Sequence, residues 1–275
     1  MLKARVITAV FLLIGFLAAV FLLPPLGWAL LATLLVMLAA WEWGGLMGLG
    51  GMERLVLGAA AGVPCSLLIL FQPQALGLSG PLDKEAARSL GLYLLLPSAV
   101  FWALLVPFWL RRRWPLSGFV AGLTTGAVVL LPTWLALVLL RHLGPWPLLA
   151  VMALVWIADI AAYFTGRAWG KRKLAPNISP GKTWEGAFGA VAGVLAYGLL
   201  LDLLWSQPLS PVWLVPALLL LTAVSILGDL FESMLKRQIG IKDSSQLLPG
   251  HGGILDRIDS LTSTLPLVAL LWLFF

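Results

Sequence analysis

The sequence predicts an all-α, polytopic integral membrane protein of about nine transmembrane helices, with a cytoplasm-facing active site in its C-terminal half. Of its 275 residues 61% are hydrophobic and 11% charged, and the mean hydropathy is +1.00. A water-soluble chain of this length could not hide so much apolar surface, so the solvent is lipid. Apolar runs of about 20 residues follow one another along the chain, far too long for barrel strands, and in hydrocarbon the helix satisfies its own backbone. The acids, by contrast, gather after residue 150.

Taken in order, the runs place helices near 6–23, 27–48, 55–72, 90–110, 117–140, 146–166, 184–204, 211–235 and 256–275. The first follows Lys3 and Arg5 and has no small-residue cleavage site, so it reads as a retained span. Pro64 and Pro97 interrupt the third and fourth. Segment 73–89 reads as a solvated loop that holds at most a short surface helix. Residues 1–140 form an N-terminal membrane scaffold and 141–275 a catalytic membrane region, within one continuous domain.

Orientation follows from the basic residues. The amino terminus and the loops after the second, fourth, sixth and eighth spans hold 15 of the 18 Lys and Arg, leaving Lys84, Arg88 and Arg141. The positive-inside rule makes those loops, and the N-terminus, cytoplasmic. Arg111, Arg112 and Arg113 then read as a topology and headgroup anchor. The one cysteine, Cys65, excludes a disulfide framework and reads as packing. Glu42, alone among apolar residues between Trp41 and Trp43, reads as an interfacial or partner-bonded structural carboxylate, with a functional role as the alternative.

Three clusters carry the chemistry. In the first, Asp159, Tyr163 and Gly166 share one helical stripe that runs toward Arg167, Lys171, Arg172 and Lys173. Its bland reading is a packing face with a buried Asp–Tyr bond. In the second, Asn177-Ile-Ser179-Pro180-Gly181-Lys182-Thr183-Trp184-Glu185-Gly186 places a turn, a lysine and a capping threonine at a helix start. Free amides and a point charge there suit phosphate, although the glycine spacing of a P-loop is missing. Gly189 and Gly193 beyond it form a small-xxx-small packing face.

The third cluster runs from Gly228-Asp229 through Glu232, Ser233, Lys236, Arg237, Lys242 and Asp243 to His251-Gly252-Gly253-Ile254-Leu255-Asp256-Arg257-Ile258-Asp259. Asp229, Glu232 and Lys236 lie on one stripe, and Asp256 and Asp259 one turn apart at the start of the last span. Carboxylates from two helix ends on one membrane face make a hard-oxygen site suited to Mg²⁺, with Lys and Arg left to hold phosphates. His251 is a phosphate donor or a loop residue, and Gly252-Gly253 lets backbone approach a ligand. A proton or ion pathway is the rival reading of the same charges.

Residues 233–259, read as S-x-L-K-R-x4-K-D-x-S-x2-L-P-x-H-G-G-I-x-D-R-I-D, resemble without mismatch the signature of the phosphatidate cytidylyltransferases, or CDP-diacylglycerol synthases. D-x-x-A-Y-x-x-G-R from Asp159 and S-P-x-K-T-W-E-G from Ser179 resemble further stretches of that family. The resemblance implies a Mg²⁺-dependent transfer in which CTP and phosphatidic acid give CDP-diacylglycerol and pyrophosphate. It implies Asp229, Asp256 and Asp259 as metal ligands, with room for a second, monovalent cation such as K⁺. It assigns Lys236, Arg237, Lys242, Asp243, His251 and Arg257 to the catalytic set. Asp159, Tyr163, Ser179, Lys182, Thr183, Glu185, Gly252 and Gly253 fall on the nucleotide and phosphate side.

The expected partners are CTP, phosphatidic acid and membrane lipid, with no nucleic acid, and the glycine faces permit a homodimer. The expected place is a bacterial inner membrane. A CTP-dependent lipid-alcohol kinase and a cation- or proton-coupled transporter are the other readings. The complete signature opposes the first, and the lack of an inverted repeat of broken helices opposes the second.

Overall fold

In the computed structural model, residues 2–204, 210–248 and 250–274 are described, with side chains from residue 8 onward. Of the described residues 79% are helical, as the all-α reading requires. The helices are α1 (Leu2–Leu22), α2 (Pro25–Leu46), α3 (Gly51–Phe71), α4 (Lys84–Arg112), α5 (Phe119–His142), α6 (Pro145–Trp169), α7 (Trp184–Leu204), α8 (Pro211–Gln238) and α9 (Leu255–Phe274). Each expected run is found. Eight of these helices are long and apolar enough to cross a membrane, and the described apolar part of α1, Thr8–Leu22, is shorter.

Two departures from the sequence reading have local causes. The fourth helix begins at Lys84, inside the segment expected to be loop, because the Asp83 carboxylate accepts from the amides of Glu85 (3.0 Å) and Ala86 (3.1 Å) and caps it. Further along, α4 carries two wide turns. The amides of Leu96 and Val106 bond five residues back, to Gly91 and Phe101, each immediately before a proline, Pro97 or Pro107. The ring and missing N–H of proline disturb the ordinary ladder there, so the prolines widen the span without ending it. The other departure is a small antiparallel hairpin between α6 and α7. It pairs β1 (Lys173–Ala175) with β2 (Ser179–Thr183), Lys173 opposite Thr183 and Ala175 opposite Ser179.

The fifth helix is the centre of the bundle: 72% of its spanning window is buried, against 17% for α3 at the periphery. Indole N–H groups join it to α2, since a buried donor in hydrocarbon must find an acceptor. Trp28 donates to the Leu137 carbonyl (3.0 Å), Trp43 to the Gly122 carbonyl (2.9 Å) and Trp134 to the Thr33 hydroxyl (3.0 Å). The α8 and α9 helices pack together, and α9 packs against this centre.

Helices α6 and α7 are held close by small residues. A methyl at Gly189 would fall on the Thr165 side chain, and one at Gly193 would lie 2.8 Å from Ala161 Cβ. Gly189→Ala is therefore expected to cost about 1–3 kcal/mol by overpacking and to lower the unfolding temperature in detergent. Gly181→Ala, with nothing within 4 Å, is the matched control and should leave that temperature unchanged.

Candidate active site

The site begins on the last turns of α8, where Asp229, Glu232, Ser233 and Lys236 project from one face. Lys236 is 8% and Glu232 4% exposed. The Lys236 ammonium sits 3.2 Å from Glu232 Oε1 and 2.5 Å from Asp256 Oδ1, at the start of α9. Neither Glu232 oxygen makes a directed hydrogen bond among the described residues, so this lysine is its compensation. One cation thus holds two carboxylates in a place where a lone charge would be costly.

The loop between α8 and α9 folds around carboxylates. Asp256 Oδ2 accepts from the Ser244 amide (2.9 Å), the Ser244 hydroxyl (3.0 Å) and the Gly253 amide (2.8 Å). Glu42, fully buried on α2, meets the same loop. Its Oε1 accepts from the Ser245 hydroxyl (2.6 Å) and the Ile254 amide (2.9 Å), its Oε2 from the Ser244 hydroxyl (3.1 Å) and the Leu255 amide (2.6 Å). The glycines of His251-Gly252-Gly253 are there for room: Gly252 has φ +84°, and a Cβ on Gly253 would strike Ser244 and Glu42.

A second group of charges arrives from three helices. Asp159 of α6, Asp229 of α8 and Asp259 of α9 are close enough to interact electrostatically. Lys182 of β2 reaches across to Asp229 Oδ2 at 2.5 Å, while the Ser233 hydroxyl donates to Asp229 Oδ1 at 3.2 Å. The hairpin sets Lys182 there. Its base is clamped by Glu185, which accepts from the amides of Lys171 (3.1 Å) and Arg172 (3.2 Å), and Thr183 caps α7 through the Gly186 amide (3.1 Å).

These elements enclose a cavity of about 440 Å³, whose walls include Asp159, Tyr163, Ser179, Lys182, Thr183 and Asp229. Six of the residues singled out in the sequence therefore meet at one opening. Lys236 and Asp256 form the polar knot on the other end of the α8 stripe, and Asp259 faces the cavity acids by charge. Arg237, Lys242, Asp243 and Arg257 are exposed, Arg237 donating to the Ile241 carbonyl at 2.9 Å, and His251 is half-buried in the turn that bridges Leu248 and Gly252. Glu185 is used in the hairpin and does not line the cavity.

Two residues of the site were not among the candidate site residues read from the sequence. Arg167 lines the cavity and donates to the Tyr163 hydroxyl at 3.0 Å; its basic side chain on the Asp159 stripe was the available signal. Glu42, read in the sequence as an interfacial or partner-bonded structural carboxylate, is partner-bonded, to donors that no local pattern names. Among the described residues no three His, Cys, Asp or Glu side chains already form a metal cage. The donor chemistry fits a hard divalent cation nonetheless: carboxylate oxygens from separate helices, which Mg²⁺ takes in ones and twos together with water and phosphate oxygens.

The chain is similar to known proteins along nearly its whole length. Residues 3–275 match the model of the cytidylyltransferase family. A phosphatidate cytidylyltransferase of Pseudomonas aeruginosa is 45% identical over 99% of this chain and 97% of its own length. Its counterpart in Haemophilus influenzae is 37% identical over 100% and 99%, and one from Bacillus subtilis is 46% identical over 41% and 42%.

Proposed function

Since the chain belongs to the cytidylyltransferase family, we infer that it is a phosphatidate cytidylyltransferase, which joins CTP to phosphatidic acid and releases pyrophosphate. The observation that carries the reading is the cavity itself: Lys182 on Asp229, with Asp159 and Arg167 in the same wall, is equipment for phosphate and for cations. No Ser-His-Asp or Cys-His nucleophile is needed. A phosphate monoester has its second pKa near 6, so the lipid phosphate is already largely ionised at neutral pH. One of its oxygens attacks the α-phosphorus of CTP; the new P–O bond forms as the bond to the β-phosphate breaks, and pyrophosphate leaves.

The barrier is the meeting of two anions, so electrostatic stabilisation supplies most of the catalysis. Lys182 and Arg167 in the cavity, and Arg237, Lys242, His251 and Arg257 of the signature, are assigned to the triphosphate and the lipid phosphate, while Lys236, expected among them, is held by Glu232 and Asp256. Tyr163, Ser179 and Thr183 line the nucleotide side, and Gly252 and Gly253 keep backbone close to it. Mg²⁺ would be held by Asp229 and Asp259, with Asp159 as the carboxylate the fold adds, and would neutralise charge developing on the transferred phosphate; Asp256, expected in the same set, has one oxygen on Lys236 and the other on the loop amides, and holds the loop instead. A second, monovalent cation such as K⁺ would be held by the same three acids.

The distribution of Lys and Arg supports a cytoplasmic site in a bacterial inner membrane, with the amino terminus on the same side. The diacyl tails stay in lipid, and neither substrate crosses. Residues 141–275 carry the chemistry on the scaffold of 1–140; the small-residue face of Gly189 and Gly193 is taken up between α6 and α7 and gives the homodimer no support.

The test is pyrophosphate release from CTP by the detergent-purified protein with phosphatidic acid and Mg²⁺. CDP-diacylglycerol is expected in equal amount, and Asp256→Asn should make little of either. Transfer of the terminal phosphoryl group to a lipid alcohol would establish the kinase instead. If no lipid supports turnover of CTP, the transporter reading takes over.

A further inference from the structure

The region of the chain with no recognisable motif, residues 1–140, supplies one side chain to the neighbourhood of the chemistry. Glu42 is 0% exposed, and its two oxygens lie against four groups, all of the loop between α8 and α9 or the first amide of α9: the Ile254 and Leu255 amides and the Ser245 hydroxyl donate to them, and the Ser244 hydroxyl has one proton to divide between Glu42 and Asp256. That loop carries Lys242, Asp243, His251, Gly252 and Gly253, and it delivers Asp256 and Asp259. We propose that Glu42 is the positioning residue of this loop, fixing Asp256 and the start of α9 for the transfer reaction; the proposal rests on the cytidylyltransferase reading above.

The path is short and continuous. The Ser244 hydroxyl lies 3.1 Å from Glu42 Oε2 and 3.0 Å from Asp256 Oδ2, and Asp256 Oδ1 meets Lys236. A chain of polar groups therefore runs from α2 through the loop to the buried lysine of α8. The Ile254 and Leu255 amides are free donors at a helix start, where a carboxylate is also favoured by the helix dipole. The two backbone amides, one on each oxygen, are obligate donors, which makes the site selective for a carboxylate. In Glu42→Gln one oxygen becomes an NH₂ group, and whichever way the amide turns, it faces a backbone N–H, of Ile254 or of Leu255. The serines can rotate to accept; those amides cannot. Aspartate, one methylene shorter, cannot reach both rows of donors.

The experiment compares the parent with Glu42→Gln, Ser244→Ala and the double variant. Glu42→Gln is expected to lower kcat about 100-fold, the scale of a small misplacement of reacting groups, while KM for CTP changes less than about threefold. Hydrogen exchange should rise in residues 244–256 and stay at parental levels in α3, α5 and α6. The double variant should be no worse than about twice Glu42→Gln, because both changes break the same chain. A kcat within twofold of the parent, or exchange raised throughout the bundle, overturns the proposal. If the parent itself does not convert CTP and phosphatidic acid, the functional reading has failed, and exchange in 244–256 alone then decides whether Glu42 holds the loop.

Discussion

Asp229→Asn is expected to lower CDP-diacylglycerol formation by about a thousandfold, the upper range for loss of one preorganised electrostatic group. Asp229 is the point where the separate parts of the cavity meet: Lys182 from the hairpin at 2.5 Å, Ser233 from its own helix at 3.2 Å, and the charges of Asp159 and Asp259 from α6 and α9. Asparagine keeps the size and removes the charge, so Lys182 loses its counter-ion and any cation loses a hard oxygen. The variant should also need more Mg²⁺ to reach half of its own maximal rate. Activity above about one tenth of the parent in a labelled-CTP assay would remove Asp229 from the reacting phosphates.

Lys236→Met is expected to produce the largest loss of stability. Glu232 and Asp256 both depend on this ammonium, and their side chains are 6% and 5% exposed. Breaking a buried pair by deleting one partner costs about 3–5 kcal/mol, because the remaining charge has no compensation. Here two carboxylates would be left. The unfolding temperature in detergent should fall by roughly 10 °C, and adding Glu232→Gln to Lys236→Met should recover part of the loss. A temperature within about 2 °C of the parent would show that solvent or another cation reaches these acids.

The bundle was legible in the sequence because lipid imposes a simple rule, an apolar run of fixed length for each crossing. Boundaries moved where capping chemistry outweighed hydropathy, as at Lys84 behind Asp83. The hairpin 173–183 was missed because strands of three and five residues carry no usable alternation. The stripes on α6 and α8 were also readable, since helical spacing puts Asp159 with Tyr163 and Asp229 with Lys236. What the sequence could not supply was the angle between helices. Asp256 and Asp259, one turn apart, diverge: the first pairs with Lys236, the second faces Asp229 and Asp159. The partners of Glu42 lie 202 to 213 residues away, and no local pattern encodes a distance of that kind.

That separation along the chain also sets the order in which the molecule is completed. Glu42 is synthesised some 200 residues before its partners, which at about 5–20 residues per second is a wait of about 10–40 s. During that interval α2 holds an acid whose final donors do not yet exist, at an insertion cost of about 2.5–3.5 kcal/mol if it is charged at mid-bilayer. The contact between α2 and the start of α9 therefore closes only when the last helix emerges from the ribosome. A nascent chain stalled before that point carries in its second helix a carboxylate still without its final donors.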